Sequence, residues 1–509
     1  MGWGWLSAFG RAGTAAALAF WVFASPAAAL ETRVQTKSGA IEGEARADGV
    51  TVFRGIPYAA APIGQLRWRA PQPPVAWQGV RPARAYSADC PQVIRSGRRS
   101  EFIGDTERGE NEDCLALNIW TTARAAGERR PVMVWIHGGG YNFGSGSTPE
   151  LDGGAFAQAG VVLVTINYRL GIFGLLAHPE LSAEAPYHSS GNYGTLDQIA
   201  ALGWIKENIA AFGGDPGNVT IFGESAGSGA VNILQASPLA RGLFQRAIGE
   251  STSQMDWAAG LLGGQTREQA EQLGVEIGAS LGARSLAEMR ALPTEAIVAT
   301  GKMLWPLERD GYVLPQTVYE TFKAGRQSDV PTLVGWNAGE GINLRVPWIN
   351  PSTDEERAAF AALYQGAPEW QMNTDVVGWQ MRSWAELQAR TGRARAYLYH
   401  WEQQPPASEV MPAGPIHAAE IVYVFQNFDR MRREWTETDR RIGRTMAEYW
   451  INFARTGDPN GRGLPRWPVY NARSPKVMNF APMTGSARAP REAAYQLIDA
   501  YFARRRPPS

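Results

Sequence analysis

The sequence predicts an α/β fold with a mostly parallel central sheet, and three observations support this prediction. Short apolar, β-branched runs lack polar alternation, which is typical of strands buried on both faces. Segments of helical periodicity lie between these runs, as expected when helices cover both faces of the sheet. No repeat, low-complexity tract or long linker interrupts the 509 residues, and their 44% hydrophobic content is enough for a large core.

The apolar runs define the predicted strands in chain order. They are Pro131–His137, Gly160–Tyr168, Asn218–Gly223, Arg246–Gly249, Val330–Trp336 and Arg395–His400. A 3.6-residue period predicts helices within Leu196–Phe212 and Ile442–Phe453. The opening segment Glu31–Arg54 alternates more and contains glycine turns, so a small antiparallel edge is predicted at the amino end.

Residues 1–29 have the pattern of a secretory signal peptide. One charge, Arg11, precedes the apolar stretch Ala15–Ala24, and a small-residue ending of the A-x-A kind follows. The alternative, a membrane anchor, requires ~20 apolar residues and this stretch is about half as long. We therefore predict cleavage before Leu30, a secreted or periplasmic location and no membrane span.

The remaining chain is predicted to be a single domain, residues 30–503, followed by a flexible, arginine-rich tail, residues 504–509. The 49 basic and 49 acidic residues balance, so no overall field favours nucleic acid as a partner. The sequence contains two cysteines, Cys90 and Cys114, which are too few for a four-thiolate zinc site. An oxidising compartment favours a disulfide between them, and two buried free thiols are the alternative.

A G-x-S-x-G motif, Gly223–Gly227, lies between a predicted strand and a predicted helix. This context indicates that Ser225 is a nucleophile in a sharp turn above the sheet edge, whereas an ordinary glycine-rich turn is the alternative.

A second motif, His137–Tyr141 (HGGGY), follows the strand that begins at Pro131. Its bare backbone N–H groups predict an oxyanion hole formed by Gly139, Gly140 and Ala226. A phosphate-binding loop is disfavoured because the glycine spacing and the Walker lysine are missing.

These motifs, with four further blocks, resemble the carboxylesterase type-B and cholinesterase-like family of α/β-hydrolases. The blocks occur in family order across most of the chain: NEDCLALNIW at 111–120, VWIHGGG at 134–140, NYRLGIFG at 167–174, GNYGTLDQIAALGWIKEN at 191–208, FGGDPGNVTIFGESAG at 212–227 and WINFARTGDPN at 450–460. The resemblance implies an α/β-hydrolase fold and ester hydrolysis. The ester hydrolysis that the resemblance implies requires no metal or organic cofactor.

The general base is assigned among five histidines. His417 follows the last predicted strand, which agrees with the chain order Ser, acid, His and with the Gly-x-x-His motif of the family. Glu340 follows a predicted strand and precedes glycine, where the family has its triad acid; Asp310 is the competitor. An unperturbed imidazole pKa predicts that activity falls near pH 6 to 7 on acidification.

The resemblance also places Glu224, Ser251 and Glu420 beside the triad. Their respective alternatives are a helix cap, a hydroxyl that satisfies a strand end and an exposed carboxylate. The family commonly has Gln-Ser-Gly where this chain has Glu250-Ser251-Thr252. This departure adds a carboxylate near the predicted pocket floor.

The predicted function is therefore serine carboxylic-ester hydrolysis through an acyl-enzyme intermediate, with a small-molecule ester as the substrate. A lipase and a non-catalytic adhesion module of cholinesterase type are the alternatives, the latter requiring a broken triad. The sequence leaves open the natural ester and the oligomeric state.

Overall fold

The computed structural model describes residues 32–93, 109–255, 265–409 and 411–506, together with residues 1, 2 and 4. The predicted signal peptide, residues 1–29, therefore lies outside the described residues except at those three positions. In the described part of the chain, no helix is both long and apolar enough to cross a bilayer.

An eleven-stranded sheet forms the centre of the described chain, in the order β14-β13-β12-β11-β10-β9-β7-β8-β6-β4-β3. A second sheet has the order β1-β2-β5. The strands are β1 (Arg33–Thr36), β2 (Gly39–Glu42), β3 (Glu44–Ala45), β4 (Thr51–Pro57), β5 (Val80–Pro82), β6 (Ala116–Thr121), β7 (Arg130–Ile136), β8 (Val162–Ile166), β9 (Gly214–Glu224), β10 (Arg246–Glu250), β11 (Thr332–Asn337), β12 (Ala396–Trp401), β13 (Lys476–Phe480) and β14 (Gly485–Arg488).

The strands β13, β12, β11, β10, β9, β7 and β8 run parallel, and antiparallel strands flank them on both sides. This confirms the predicted mostly parallel sheet, and all six predicted strands belong to its parallel part. Every residue of β8, β11 and β12 is buried, because helices cover both faces. The carboxyl ends of parallel strands meet at one edge, where ligands bind in open α/β sheets.

The strands of the opening segment belong to two different sheets, whereas a single small antiparallel edge was predicted. β1 and β2 form an antiparallel pair, but β2 also pairs in parallel with β5 in the separate small sheet. β3 and β4 instead extend the edge of the large sheet. The switch occurs at Gly43, where a Cβ would lie 2.5 Å from the carbonyl oxygen of Val52. A bare backbone is therefore required where the chain passes from one sheet to the other.

Fourteen helices occur in the described residues. They are α1 (Gly154–Gln158), α2 (Gly171–Leu175), α3 (Pro179–Glu184), α4 (Tyr193–Asn208), α5 (Ala226–Ala236), α6 (Arg267–Ser280), α7 (Leu286–Ala291), α8 (Thr294–Val298), α9 (Val318–Lys323), α10 (Asp354–Leu363), α11 (Gln371–Thr391), α12 (Ile421–Phe425), α13 (Glu437–Thr456) and α14 (Glu492–Ala503). Both predicted helices are confirmed, as α4 with a short 3₁₀ extension and as α13. A capping box between Thr436 and Asp439 begins α13, and Gly457 at φ 79° ends it.

Cys90 and Cys114 form a disulfide, as predicted, and both are buried. Their sequence separation is 24 residues. In the chain-entropy model, closing a loop of this length stabilises the fold by about 3 kcal/mol. The bond ties the segment before β6 to the body of the domain.

The first residues of the predicted flexible tail contact the domain. Arg504 and Arg505 form ion pairs with the buried Glu356 at 3.1 and 2.8 Å. Arg505 also lies over the Tyr501 ring. These contacts fix the end of α14 against the start of α10, and residues 507–509 lie outside the described residues.

Candidate active site

Ser225 lies in the turn between β9 and α5, as its motif predicts. Its backbone has φ 57° and ψ −127°, a conformation that side-chain-bearing residues rarely adopt. A Cβ at Gly227 would lie 2.0 Å from the carbonyl oxygen of Ile136, and one at Gly223 would lie 2.5 Å from the same atom. Both motif glycines are therefore required where the turn packs against the end of β7.

His417 accompanies Ser225, although 192 residues separate them in the sequence. Its Nε2 lies 2.8 Å from the Ser225 hydroxyl oxygen. Asn343 fixes the His417 backbone, because its side-chain oxygen accepts from the His417 N–H at 3.0 Å and its amide donates to the His417 carbonyl at 3.2 Å. A parallel bridge between Gly339 and Ile416 joins the two loops as well. The imidazole thus has a rigid support.

Glu340 lies on the other side of the imidazole, in a short 3₁₀ helix that follows β11. Its Oε2 is 2.6 Å from His417 Nδ1, and its Oε1 accepts from the Asn337 N–H at 2.8 Å. The carboxylate is fully buried. The competitor, Asp310, instead accepts from the N–H groups of Tyr312 and Leu314 within a turn.

The glycine loop after β7 lies against Ser225. A Cβ at Gly138 would lie 3.0 Å from Ser225 Cβ. Gly139 and Gly140 have φ values of 98° and 60°, and the space beside Gly140 is open. No described residue accepts a hydrogen bond from the N–H groups of Gly139, Gly140 or Ala226. These three N–H groups are therefore free of partners among the described residues, and an oxyanion is the kind of group that such donors bind.

The residues predicted beside the triad all contact it or one another. Glu224 Oε1 lies 3.3 Å from His417 Nε2, on the serine side of the ring. The Ser251 hydroxyl donates to Glu420 Oε1 at 3.0 Å. Glu420 is fully buried, which excludes the exposed-carboxylate alternative. Its second oxygen accepts from the side-chain amide of Asn337, a residue that the sequence analysis missed.

Glu250 is a residue at which the chain departs from the family pattern, and its side chain bonds to α13 rather than to the Ser225 hydroxyl. Its side chain is fully buried, and Oε1 accepts from the indole N–H of Trp450 on α13 at 2.8 Å. Burial raises the pKa of this carboxyl well above its usual value. Its backbone carbonyl accepts from the Ser225 N–H at 2.8 Å. Glu250 therefore contacts Ser225 through its main chain.

The buried carboxylates determine the charge of the imidazole. Burial alone lowers the pKa of His417, but Glu224, Glu340 and Glu420 face the ring and raise it to about 9. Burial raises the pKa of Glu224 well above its usual value, and burial with the nearby Glu340 charge raises that of Glu420 to about 7. Since these groups interact closely, they titrate as a unit.

Other histidines have structural roles. His137 is buried, stacks on Tyr168 and has its pKa lowered by burial to about 4. His178 caps α3 by accepting from the Glu180 N–H. In the described chain, no group of three or more His, Cys, Asp or Glu side chains is arranged to hold a metal ion.

Comparison with known proteins is consistent with this geometry. A model of the carboxylesterase family matches residues 30–366 and 369–498. The chain is 35% identical to the fumonisin B1 esterase of Sphingopyxis macrogoltabida, covering 95% of this chain and 94% of that protein. It is 34% identical to the para-nitrobenzyl esterase of Bacillus subtilis, with coverage of 87% and 94%.

Solved structures share the architecture. A thermophilic para-nitrobenzyl (PNB) esterase superposes with a TM-score of 0.80 at 31% identity, covering 92% of this chain and all of that one. A carboxylesterase from Geobacillus stearothermophilus gives a TM-score of 0.77 at 35% identity, with coverage of 92% and 99%.

Proposed function

The chain belongs to the carboxylesterase family and is a carboxylic ester hydrolase of α/β-hydrolase fold, and from that premise we propose that Ser225, His417 and Glu340 form its catalytic triad. One observation carries this proposal. The imidazole of His417 lies between the other two groups, 2.8 Å from the serine oxygen and 2.6 Å from the carboxylate. The first distance suits proton transfer from Ser225 to the imidazole, and the second allows the carboxylate of Glu340 to orient the ring.

The first half-reaction acylates the serine. His417 Nε2 accepts the hydroxyl proton as Ser225 Oγ attacks the ester carbonyl carbon. The negative charge of the tetrahedral intermediate lies on the former carbonyl oxygen, and the N–H groups of Gly139, Gly140 and Ala226 bind it. The intermediate collapses as the carbon–oxygen bond to the alcohol breaks, and His417 gives its proton to the departing oxygen. The products are the alcohol and the acyl-enzyme.

The second half-reaction hydrolyses the acyl-enzyme. His417 takes a proton from water, the resulting hydroxyl attacks the acyl carbon, and the same three N–H groups bind the new oxyanion. Collapse releases the carboxylic acid and returns the proton to Ser225. Glu340 stabilises the imidazolium that forms in each half-reaction.

We propose small-molecule esters as substrates. Two relatives are named for action on fumonisin B1 and on para-nitrobenzyl esters, and these names do not identify the ester that this chain prefers. A panel in which the acyl and alcohol parts are varied separately therefore resolves the preference. Faster hydrolysis of long-chain emulsified esters than of short soluble ones would favour the lipase alternative. The adhesion alternative requires a broken triad, and the contacts of all three side chains argue against it.

We also propose that the protein is exported, with cleavage before Leu30. The signal-peptide pattern of residues 1–29 supports this proposal, as does the Cys90–Cys114 disulfide, since disulfides persist in oxidising compartments. Amino-terminal sequencing of protein recovered from the periplasm or medium should begin at Leu30. Recovery of the full-length chain only from the cytoplasm would contradict the proposal.

The pH profile should reflect the carboxylates around the base. His417 acts as a base only when neutral, so kcat/KM falls as the pH drops through its pKa. Because the carboxylates raise this pKa, we expect the acid limb at higher pH than the 6 to 7 predicted for an unperturbed imidazole. Glu224→Gln should move the limb to lower pH, since it removes the carboxylate with the largest Coulombic effect on the pKa of His417.

The measurement is kcat/KM on a short-chain nitrophenyl ester from pH 5 to 10. Glu355→Gln is the matched control, because Glu355 is exposed on α10 and its removal leaves the imidazole environment unchanged. Identical acid limbs in wild type and Glu224→Gln would contradict the assigned electrostatics.

A further inference from the structure

The segment after β10 is bonded to the turn that carries the nucleophile. The Ser225 N–H donates to the carbonyl of Glu250 at 2.8 Å. In the opposite direction, the Thr252 hydroxyl donates to the carbonyl of Ser225 at 2.7 Å. The Ser228 hydroxyl then donates to the carbonyl of Thr252 at 2.5 Å. Three hydrogen bonds therefore join residues 250–252 to residues 225–228.

These bonds act on a backbone that needs support. The φ of 57° and ψ of −127° at Ser225 lie outside the ordinary regions, and such conformations cost about 1–3 kcal/mol unless their surroundings hold them. The Ser225 carbonyl also accepts from the Gly229 N–H at 3.0 Å, in the first turn of α5. Thr252 is therefore a second donor to this carbonyl, and it comes from the segment that follows β10 rather than from α5. Because Thr252 is only 7% exposed, water is a poor replacement for its hydroxyl.

The same segment also contacts the oxyanion loop. Gln254 donates from its side chain to the Tyr141 hydroxyl at 2.9 Å, and Tyr141 directly follows Gly140. The Gln254 N–H donates to the side chain of Asn232 on α5 at 3.0 Å. Thr252 is thus fixed on both sides, by β10 before it and by the Gln254 contacts after it. Its hydroxyl is directed at Ser225 by a rigid support.

We propose that Thr252 is a positioning residue, whose hydroxyl holds the strained Ser225 backbone so that the serine oxygen stays within reach of His417. The inference rests on the proposed function of Ser225. Thr252 acts through Ser225, and its effect is expected on the chemical step rather than on ester binding.

The test compares Thr252→Val with Thr252→Ser. Valine keeps the shape of threonine without its hydroxyl, whereas serine keeps the hydroxyl without the methyl. We expect Thr252→Val to lower kcat for a nitrophenyl ester by about tenfold, the size expected for loss of one well-formed hydrogen bond. KM should stay unchanged, and the rate of labelling by an organophosphonate should fall in parallel. Thr252→Ser should stay within about twofold of wild type in all three measurements.

A purely structural role predicts a different outcome. If Thr252→Val melts at lower temperature but keeps wild-type kcat per labelled site, the proposal is overturned. If Thr252→Val does not fold, Thr252→Ala carries the same expectation, since it also lacks the hydroxyl. Failure of wild type to be labelled would refute the proposed role of Ser225, whereas equal labelling of wild type and Thr252→Val would refute only the role of Thr252.

Discussion

Ser225→Ala is expected to lower kcat by about 10⁶-fold while leaving the fold intact. The substitution removes the oxygen that we propose attacks the ester, which lies 2.8 Å from His417 Nε2. The proposed oxyanion donors Gly139, Gly140 and Ala226 remain, so the residual rate should still exceed that of uncatalysed hydrolysis. The strained backbone at position 225 is retained by alanine, and folding is therefore expected to change little.

Hydrolysis of a short-chain nitrophenyl ester measures this effect, and labelling by an organophosphonate provides an independent readout. Ser280→Ala is the control, because Ser280 is an exposed serine at the end of α6. The control should keep full activity and full labelling, whereas Ser225→Ala should lose both. Undiminished hydrolysis by folded Ser225→Ala would refute the assignment of the nucleophile.

The elements that the sequence predicted well are those encoded by local pattern. The strands from β7 to β12 contain continuous apolar runs, and such a run can be recognised from a short stretch of the sequence. Ser225 was predicted because its glycines, strand and helix all lie within one such stretch. Glu340 and His417 required the order of strands and a family resemblance, since 77 residues separate these two groups.

Other features depend on contacts between distant segments and had no local signal. Asn337 and Asn343 are ordinary loop asparagines in the sequence, yet one bonds to Glu420 and the other fixes the His417 backbone. The division of the opening segment between two sheets depends on pairing with β5, about forty residues later. The ion pairs of Arg504 and Arg505 had no local signal either, because their acidic partner, Glu356, lies on another helix.

The pKa of His417 could not be predicted from the sequence either. Glu224 is adjacent to the nucleophile in the chain, but its effect depends on the 3.3 Å contact with His417. Glu420 also raises this pKa, through the Coulombic effect of its carboxylate on the imidazole. An electrostatic environment of this kind is a property of the assembled strand ends rather than of any single motif.

Glu340→Gln is expected to lower kcat by about 10⁴-fold through the tautomer of His417. The carboxylate now accepts two hydrogen bonds, one at Oε1 from the Asn337 N–H and one at Oε2 from His417 Nδ1. In the variant, the amide oxygen is needed by the Asn337 N–H, so the amide NH₂ faces Nδ1. Nδ1 must then accept, which leaves the proton on Nε2. In that tautomer Nε2 cannot take the proton of Ser225.

The measurement is kcat on the nitrophenyl ester together with a melting curve, since the change is nearly isosteric and the buried site should stay folded. Asp310→Asn tests the competing acid, whose carboxylate bonds to turn backbone rather than to His417. It should keep its activity per folded molecule even if the turn is weakened. A large loss in Asp310→Asn with near-normal turnover in Glu340→Gln would reverse the assignment, because the orienting carboxylate would then have to be Asp310.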